Sequence, residues 1–156
     1  MAEQAHERTG VRNSGVLAWL RMARFVNATN REAARRLRQL SLSIAQFDVL
    51  AQLSAEPGMN QQQLAERLLV TQGNVSQLLR VLEGRDLIRR EGRGRTNVLT
   101  LTAAGAELAA RATREHEQWL ARRLGVLSGS ERAELLDLLS TLSRRTRAAE
   151  RERNRQ

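Results

Sequence analysis

The chain has 156 residues, of which 41% are hydrophobic and 28% are charged, and its formal net charge at pH 7 is +9. This length suits one domain with or without long appended helices, and the apolar content suffices for a packed core. Cysteine is absent, which excludes disulfides, thiolate metal sites and cysteine redox sensing. No signal region and no apolar run of roughly 18 residues is present, so we expect a soluble, cytoplasmic protein without membrane association.

The positive charge favours a polyanionic partner. All 26 basic residues are arginine. Arginine binds phosphate bidentately, which fits such a partner. Codon bias in a GC-rich genome explains the same usage, so the positions of the arginines are more informative than their identity.

Residues 1–13 are polar without an apolar period and are predicted to form a mobile arm. A long helix is predicted from Gly15 to Leu40, because Val16, Leu17, Trp19 and Leu20 begin a near-helical apolar pattern. The next helix is expected to end at the segment Ala55-Glu56-Pro57-Gly58, where proline removes a donor and glycine permits a turn.

Helix starts are marked by residue pairs with the spacing of a capping box, in which each residue satisfies a backbone N–H of the other. Three such pairs occur, namely Ser43 with Gln46, Asn60 with Gln63, and Ser128 with Glu131. Thr71 is the expected N-cap of a further helix, and Thr102 of a helix that continues to Leu124. The last helix is predicted to run from Ser128 to about Ala149, followed by a charged, frayed tail over residues 151–156.

Two short strands are predicted at residues 87–90 and 97–101, joined by a loop whose tip is Gly92-Arg93-Gly94-Arg95. The fold class is therefore mainly α with a small β-hairpin wing. A winged helix-turn-helix is predicted over residues 41–101, flanked by long N- and C-terminal dimerisation helices at 14–40 and 102–150. The apolar stripe Leu135, Leu138, Leu139 and Leu142 needs a partner surface, which a second copy supplies; the alternative is that it folds back on the chain's own central domain.

A DNA-binding surface is predicted from the helix that follows Thr71 and from the hairpin. The helix offers a polar, nearly uncharged face suited to base edges, consisting of Thr71, Gln72, Gly73, Asn74, Ser76 and Gln77. Arg80, Arg89, Arg93 and Arg95 are expected to hold phosphates or to enter the minor groove. The alternatives are an ordinary solvated helix face and a charged surface turn.

The run from Ser43 to Gly105 resembles the multiple-antibiotic-resistance regulator (MarR) family of winged-helix transcription factors. The matching residues are Gln46-Phe47-Asp48-Val49-Leu50, Leu64-Ala65 with Leu68, the helix from Val75 to Glu83, Leu87-Ile88, Arg95, and Leu101-Thr102 with Gly105. With the long flanking helices, the resemblance covers about residues 14–150. It implies a homodimer that binds palindromic operators and releases them when a small ligand binds.

Two positions depart from the family's pattern. Arg93 stands where an Asp often braces the wing-tip arginine, here Arg95, so the wing is expected to be looser or more strongly phosphate-seeking. Asp86 stands where Gly commonly precedes the Leu-Ile pair, at a turn that requires a left-handed backbone.

No nucleophile–base pair, phosphate-binding loop, metal-ligand cluster or cofactor motif is present, so we expect that the protein is not an enzyme. A small aromatic or phenolic effector is a family-level expectation, with Trp19, Phe47, Asp48 and His116 as candidate pocket residues. His116 fits equally an ordinary hydrogen-bonded interfacial histidine. The predicted function is a sequence-specific double-stranded DNA-binding regulator; the alternatives are a non-specific architectural DNA binder and a protein-interaction module.

Overall fold

The computed structural model describes residues 13–93 and 96–155, so the predicted arm up to residue 12 and the wing-tip residue Arg95 lie outside the described residues. The elements in chain order are α1 Ser14–Gln39, α2 Ile44–Ala55, α3 Gln61–Leu68, α4 Gln72–Gly84, β1 Ile88–Arg93, β2 Thr96–Leu101, α5 Ala103–Leu124 and α6 Gly129–Arg153. The predicted fold class, mainly helical with a small hairpin, is confirmed. The chain forms two compact units, one that ends at Thr113 and one that begins at Arg114.

The predicted helix caps are present. All three capping boxes form, with Ser43, Asn60 and Ser128 as the N-caps of α2, α3 and α6. The Thr71 hydroxyl accepts a hydrogen bond from the Asn74 backbone N–H and so caps α4. These bonds satisfy the backbone donors that the first turn of a helix leaves unpaired, and they fix where each helix begins. The contacts from Ser128 also hold the pKa of the Glu131 carboxyl below its ordinary value of 4.5.

The core of the first unit is formed by apolar side chains from both helices and strands. Leu50 of α2, Leu64 of α3 and Leu79 of α4 are fully buried. Ile88 of β1 and Leu99 of β2 join the same cluster. Since the inward stripes of α2, α3 and α4 all contribute to one core, the opposite side of α4 is left open to solvent.

The hairpin is longer than the sequence indicates. Its strands pair antiparallel with Ile88 opposite Leu101 and Arg93 opposite Thr96. The predicted ends near Arg90 and Asn97 were wrong because a ladder needs only backbone groups, and Gly92 supplies them opposite Asn97. A further backbone bond, from the Leu99 N–H to the Met59 carbonyl at 2.8 Å, ties β2 to the segment before α3.

A buried threonine joins the end of the hairpin to the turn after α4. The Thr102 hydroxyl donates to the Asp86 carbonyl at 2.6 Å and accepts from the Gly105 N–H at 3.0 Å, which caps α5 as predicted. A Cβ added at Gly105 would lie 1.8 Å from the Leu87 carbonyl oxygen. Position 105 therefore has no room for any side chain. Asp86 has φ 54°, the left-handed conformation expected at this turn.

The last helix extends further than predicted. α6 ends at Arg153, four residues beyond the expected end near Ala149. The segment from Ala148 to Arg153 contains only alanine, glutamate and arginine, all good helix formers, and no glycine or proline to stop the helix. Residues 151–153 of the predicted tail are therefore helical.

Candidate nucleic-acid interface

The exposed side of α4 is polar and carries few charges. Four residues point away from the core and are exposed; we call them the open face, and they are Gly73, Asn74, Gln77 and Arg80. On a helix of 3.6 residues per turn, positions 73, 77 and 80 share one side, opposite Val75, Leu79 and Leu82, which are buried. The apolar stripe thus fixes which side chains α4 presents outward.

The open face carries the amide side chains of Asn74 and Gln77, and at Gly73 it has no side chain. Asn and Gln can each donate and accept in one plane, which suits the paired donor and acceptor of adenine in the major groove. The nearest neighbour of a Cβ built at Gly73 is the Thr71 hydroxyl oxygen, 3.9 Å away. The protein's own packing therefore does not require glycine at this position, and a partner has room to approach the backbone.

Two further predicted residues of this helix have different environments. Gln72 is the exposed first residue of α4. Ser76 is half-buried, and its hydroxyl donates to the Gln72 carbonyl at 2.9 Å and accepts from the Gln61 amide at 2.5 Å. The hydroxyl of Ser76 is thus engaged within the protein, unlike the side chains of the open face.

The predicted wing arginines lie on or beyond β1. Arg89 is exposed and stands opposite Thr100 in the hairpin, on the side away from the buried Ile88. Arg93 is the last residue of β1, and Arg95 lies outside the described residues. Arg89 and the open face of α4 therefore belong to two separate elements.

Three residues beside this surface, Gln61, Glu83 and Arg90, were not among the predicted site residues. Arg90 donates from Nε to Glu83 at 2.8 Å and from Nη1 to Gln61 Oε1 at 3.1 Å. Gln61, Gln72, Arg90 and Asn97 are among the residues lining a cleft of about 330 Å³ between the helices and the wing. For Gln61 the sequence signal was a polar residue in the first turn of α3, which is too common to point to a tertiary contact, and for Arg90 it was membership of the arginine cluster on the hairpin.

The four candidate pocket residues differ in burial. Phe47 is part of the core, Asp48 is half-buried, and Trp19 on α1 is 63% exposed. His116 on α5 lies 5.5 Å from Trp119 between ring centroids. A cavity of about 530 Å³ is found elsewhere, between the end of α1 and the start of α2, lined by Ala34, Arg38, Ser41, Leu42, Ser43, Ile44 and Ala45.

Within the described residues, no three His, Cys, Asp or Glu side chains are grouped so that they could hold a metal ion. In that same part of the chain, no helix is both long and apolar enough to cross a membrane.

A short helix, a turn, a helix with an open polar face and a following antiparallel hairpin define a winged helix-turn-helix, a class of DNA-binding module. Comparison with known proteins identifies the family. The family model described as MarR family matches residues 40–96. HTH-type transcriptional regulators of Bacillus cereus and Bacillus anthracis are 39% identical over 101 residues, which is 65% of this chain and 69% of each relative.

Solved structures similar to this chain are also transcriptional regulators. MepR, a transcription regulator of the Staphylococcus aureus multidrug efflux pump MepA, is 28% identical with a TM-score of 0.70, over 83% of this chain and 98% of that one. A Mycobacterium tuberculosis MarR family protein, solved in complex with DNA, is 28% identical with a TM-score of 0.67, over 85% and 98% of the two chains. The chain belongs to the MarR family of DNA-binding, winged-helix transcriptional regulators. The family and these neighbours regulate transcription and are not enzymes, in agreement with the prediction.

Proposed function

We propose that this protein is a sequence-specific repressor that binds a palindromic operator in double-stranded DNA as a homodimer. The observation that carries the proposal is the separation of two surfaces: the uncharged N-terminal part of the open face, formed by Gly73, Asn74 and Gln77, and the arginines on the wing. A protein that held DNA by charge alone would gain affinity from arginine on both surfaces. Amide side chains on the helix favour base recognition, while wing arginines favour backbone or minor-groove contact.

Exposed apolar side chains support the homodimer. On α6, Leu138 is 59% and Leu142 is 54% exposed in the single chain, and Leu135 and Leu139 continue the same stripe. Large apolar stripes of this kind mark interaction surfaces. A second copy of the chain covers the stripe with an identical stripe, and the resulting two-fold symmetry presents two recognition helices to a palindrome.

The proposal includes release of DNA by a small aromatic or phenolic acid. The cavity beside Arg38 has a volume typical of small-molecule sites, and its walls are mostly apolar. The guanidinium of Arg38 would pair with the ligand's carboxylate. Benzoate is expected to raise the melting temperature of the wild type and not that of Arg38→Ala, because only the folded state binds it. An equal rise in both proteins, or no rise in the wild type, would place the effector elsewhere.

Titration of two labelled duplexes tests the DNA-binding proposal. One contains the DNA beside the protein's own gene, and the other has the same length and base composition in scrambled order. The first is expected to bind far more tightly. Equal affinity would favour the architectural DNA binder, and no binding to either duplex would favour a protein-interaction module.

A further inference from the structure

Four polar side chains connect the recognition helix to the wing and back again. Glu83 of α4 accepts from Arg90 of β1 at 2.8 Å, and Arg90 in turn donates to Gln61 of α3 at 3.1 Å. Gln61 then donates to Ser76 of α4 at 2.5 Å. The chain of bonds begins and ends on α4 and passes through β1 and α3.

Both ends of the Gln61 amide are engaged. Its Nε2 group donates to the Ser76 hydroxyl and, at 3.3 Å, to the Gln72 carbonyl, while Oε1 accepts from Arg90. An amide carries its donor and its acceptor on two separate atoms, so Gln61 can donate to α4 through Nε2 while it accepts from Arg90 through Oε1. Gln61 is therefore chemically matched to both of its neighbours.

The bonds lie on one side of α4. Ser76 and Glu83 are seven residues apart, which places them nearly in line on a helix of 3.6 residues per turn. That side faces the wing, so Gly73 and Gln77 are turned outward. The rotation of α4 about its axis is thus set by the core on one side and by these polar contacts on another.

The wing is joined to the helices by apolar contacts of Ile88 and Leu99 in the core and by a smaller set of polar contacts. Near the base of β2, Leu99 bonds to the Met59 carbonyl. At the same level of the hairpin, where Arg90 stands opposite Leu99, a cleft is lined by side chains of α3, α4 and both strands. The Arg90–Gln61 bond spans this cleft.

The charge of Arg90 is balanced locally. Its side chain is 32% exposed and that of Glu83 is 28% exposed, and the two form an ion pair. Arg89, the neighbouring residue, lies on the opposite side of the hairpin. Arg90 is thus paired within the protein, while Arg89 is exposed on the other side of the hairpin.

We propose that Gln61 and Arg90 are positioning residues that hold the wing at a fixed orientation to α4, so that base reading and wing contact occur together. The inference rests on the proposed function only in that the surface being positioned is the DNA-binding surface. Arg90 in this role contacts protein and not phosphate.

The test compares Gln61→Ala, Arg90→Ala, Arg90→Lys and the double variant Gln61→Ala with Arg90→Ala. Gln62→Ala is the matched control, since Gln62 is the next residue of α3 and its side chain bonds to Glu66 of the same helix. Each single alanine variant loses the Arg90–Gln61 bond that the two residues share, and is expected to weaken binding to the specific duplex by about fivefold, the net value of one hydrogen bond. The double variant is expected to bind the specific duplex with the same affinity as the single variant that binds it less tightly.

Lysine at position 90 separates positioning from charge. It keeps the charge but cannot bridge Glu83 and Gln61 with a planar fork, so Arg90→Lys is expected to bind about as weakly as Arg90→Ala, with an unchanged salt dependence. Three results would each overturn the proposal. The first is a loss of affinity in the double variant equal to the product of the losses in the two single variants, and the second is wild-type affinity in Arg90→Lys. The third is a salt slope reduced by about one unit in Arg90→Ala.

Hydrogen exchange without DNA keeps this test separate from the proposed function. Amides of β1 are expected to exchange faster in Gln61→Ala and Arg90→Ala than in the wild type, and at the wild-type rate in Gln62→Ala. If the wild type fails to distinguish the two duplexes, the proposed function fails, but hydrogen exchange still tests whether Gln61 and Arg90 hold the wing. Unchanged exchange of the β1 amides in both variants would overturn the positioning proposal.

Discussion

At the scale of single residues, exposure and bonding separate two groups of polar side chains that look alike in the sequence. Gln77 and Ser76 are adjacent and both uncharged, yet Gln77 is exposed on the open face while the Ser76 hydroxyl is bonded to Gln61 and Gln72. Arg89 and Arg90 differ in the same way. For Ser76 and Gln77, residue type and helical period do not reveal this difference, because it depends on which tertiary partner lies within reach. For Arg89 and Arg90, strand alternation predicts opposite sides of the hairpin but not the partners of Arg90.

Gln77→Ala and Arg89→Ala should therefore have different effects on DNA binding. Loss of Gln77 removes a base contact, so affinity for the specific duplex should fall about tenfold while affinity for the scrambled duplex stays unchanged. Loss of Arg89 should weaken binding to both duplexes and reduce the salt slope by about one unit. Anisotropy titrations at several salt concentrations measure both quantities.

The same change in both variants would contradict this assignment. A uniform loss of affinity in Gln77→Ala would mean that Gln77 contacts phosphate and not a base. An unchanged salt slope in Arg89→Ala would mean that Arg89 lies away from DNA.

Backbone conformation at single residues was only partly predictable. Asp86 was expected to be left-handed because glycine is common at that turn in similar proteins, and its φ is 54°. Leu69 has the same φ at the end of α3, where the sequence offers no glycine or asparagine to signal it. The need for glycine at position 105 comes from the Leu87 carbonyl beside it, a tertiary contact that the sequence does not reveal.

At the scale of elements, the helix starts were predictable and some element ends were not. A cap is a local interaction between residues two or three apart, so Ser43, Asn60, Thr71 and Ser128 could be identified by spacing alone. The ends of α6 and of the hairpin strands depend on propensity and on backbone pairing over longer distances. Asn13, which caps α1 through the N–H groups of Gly15 and Val16, was overlooked among the polar residues of the predicted arm.

The leucine stripe of α6 gives a prediction for that element. Leu139→Glu places a charge in the proposed dimer interface, where burying it without a partner is costly, so the variant should sediment as a monomer at concentrations where the wild type is a dimer. Leu136→Glu is the matched control, because Leu136 is 67% exposed and lies off the stripe of Leu135, Leu139 and Leu142. Analytical ultracentrifugation measures both.

Two results would count against the interface. A Leu139→Glu variant that remains dimeric would place the dimer contact on another helix. Equal dissociation in both variants would show that added charge on α6, and not the stripe, decides the oligomeric state.

At the scale of the whole molecule, we propose that attraction to DNA and recognition of its sequence belong to different parts of the chain. The net charge of +9 provides general attraction to DNA, which falls as salt rises. The open face of α4 contributes little to this attraction and is the source of discrimination between sequences in the proposed function. The family and the fold class could be predicted from the order of motifs. The contacts that join the wing to the helices could not, because they are tertiary contacts between side chains far apart in the sequence.

The most direct test of sequence-specific recognition is the ratio of dissociation constants for the scrambled and the specific duplex, measured with the wild-type protein at two salt concentrations. Base readout predicts a ratio of about a thousand or more that persists as both affinities weaken with added salt. A ratio near one at both salt concentrations would contradict the account, since it would show that charge alone holds the protein on DNA.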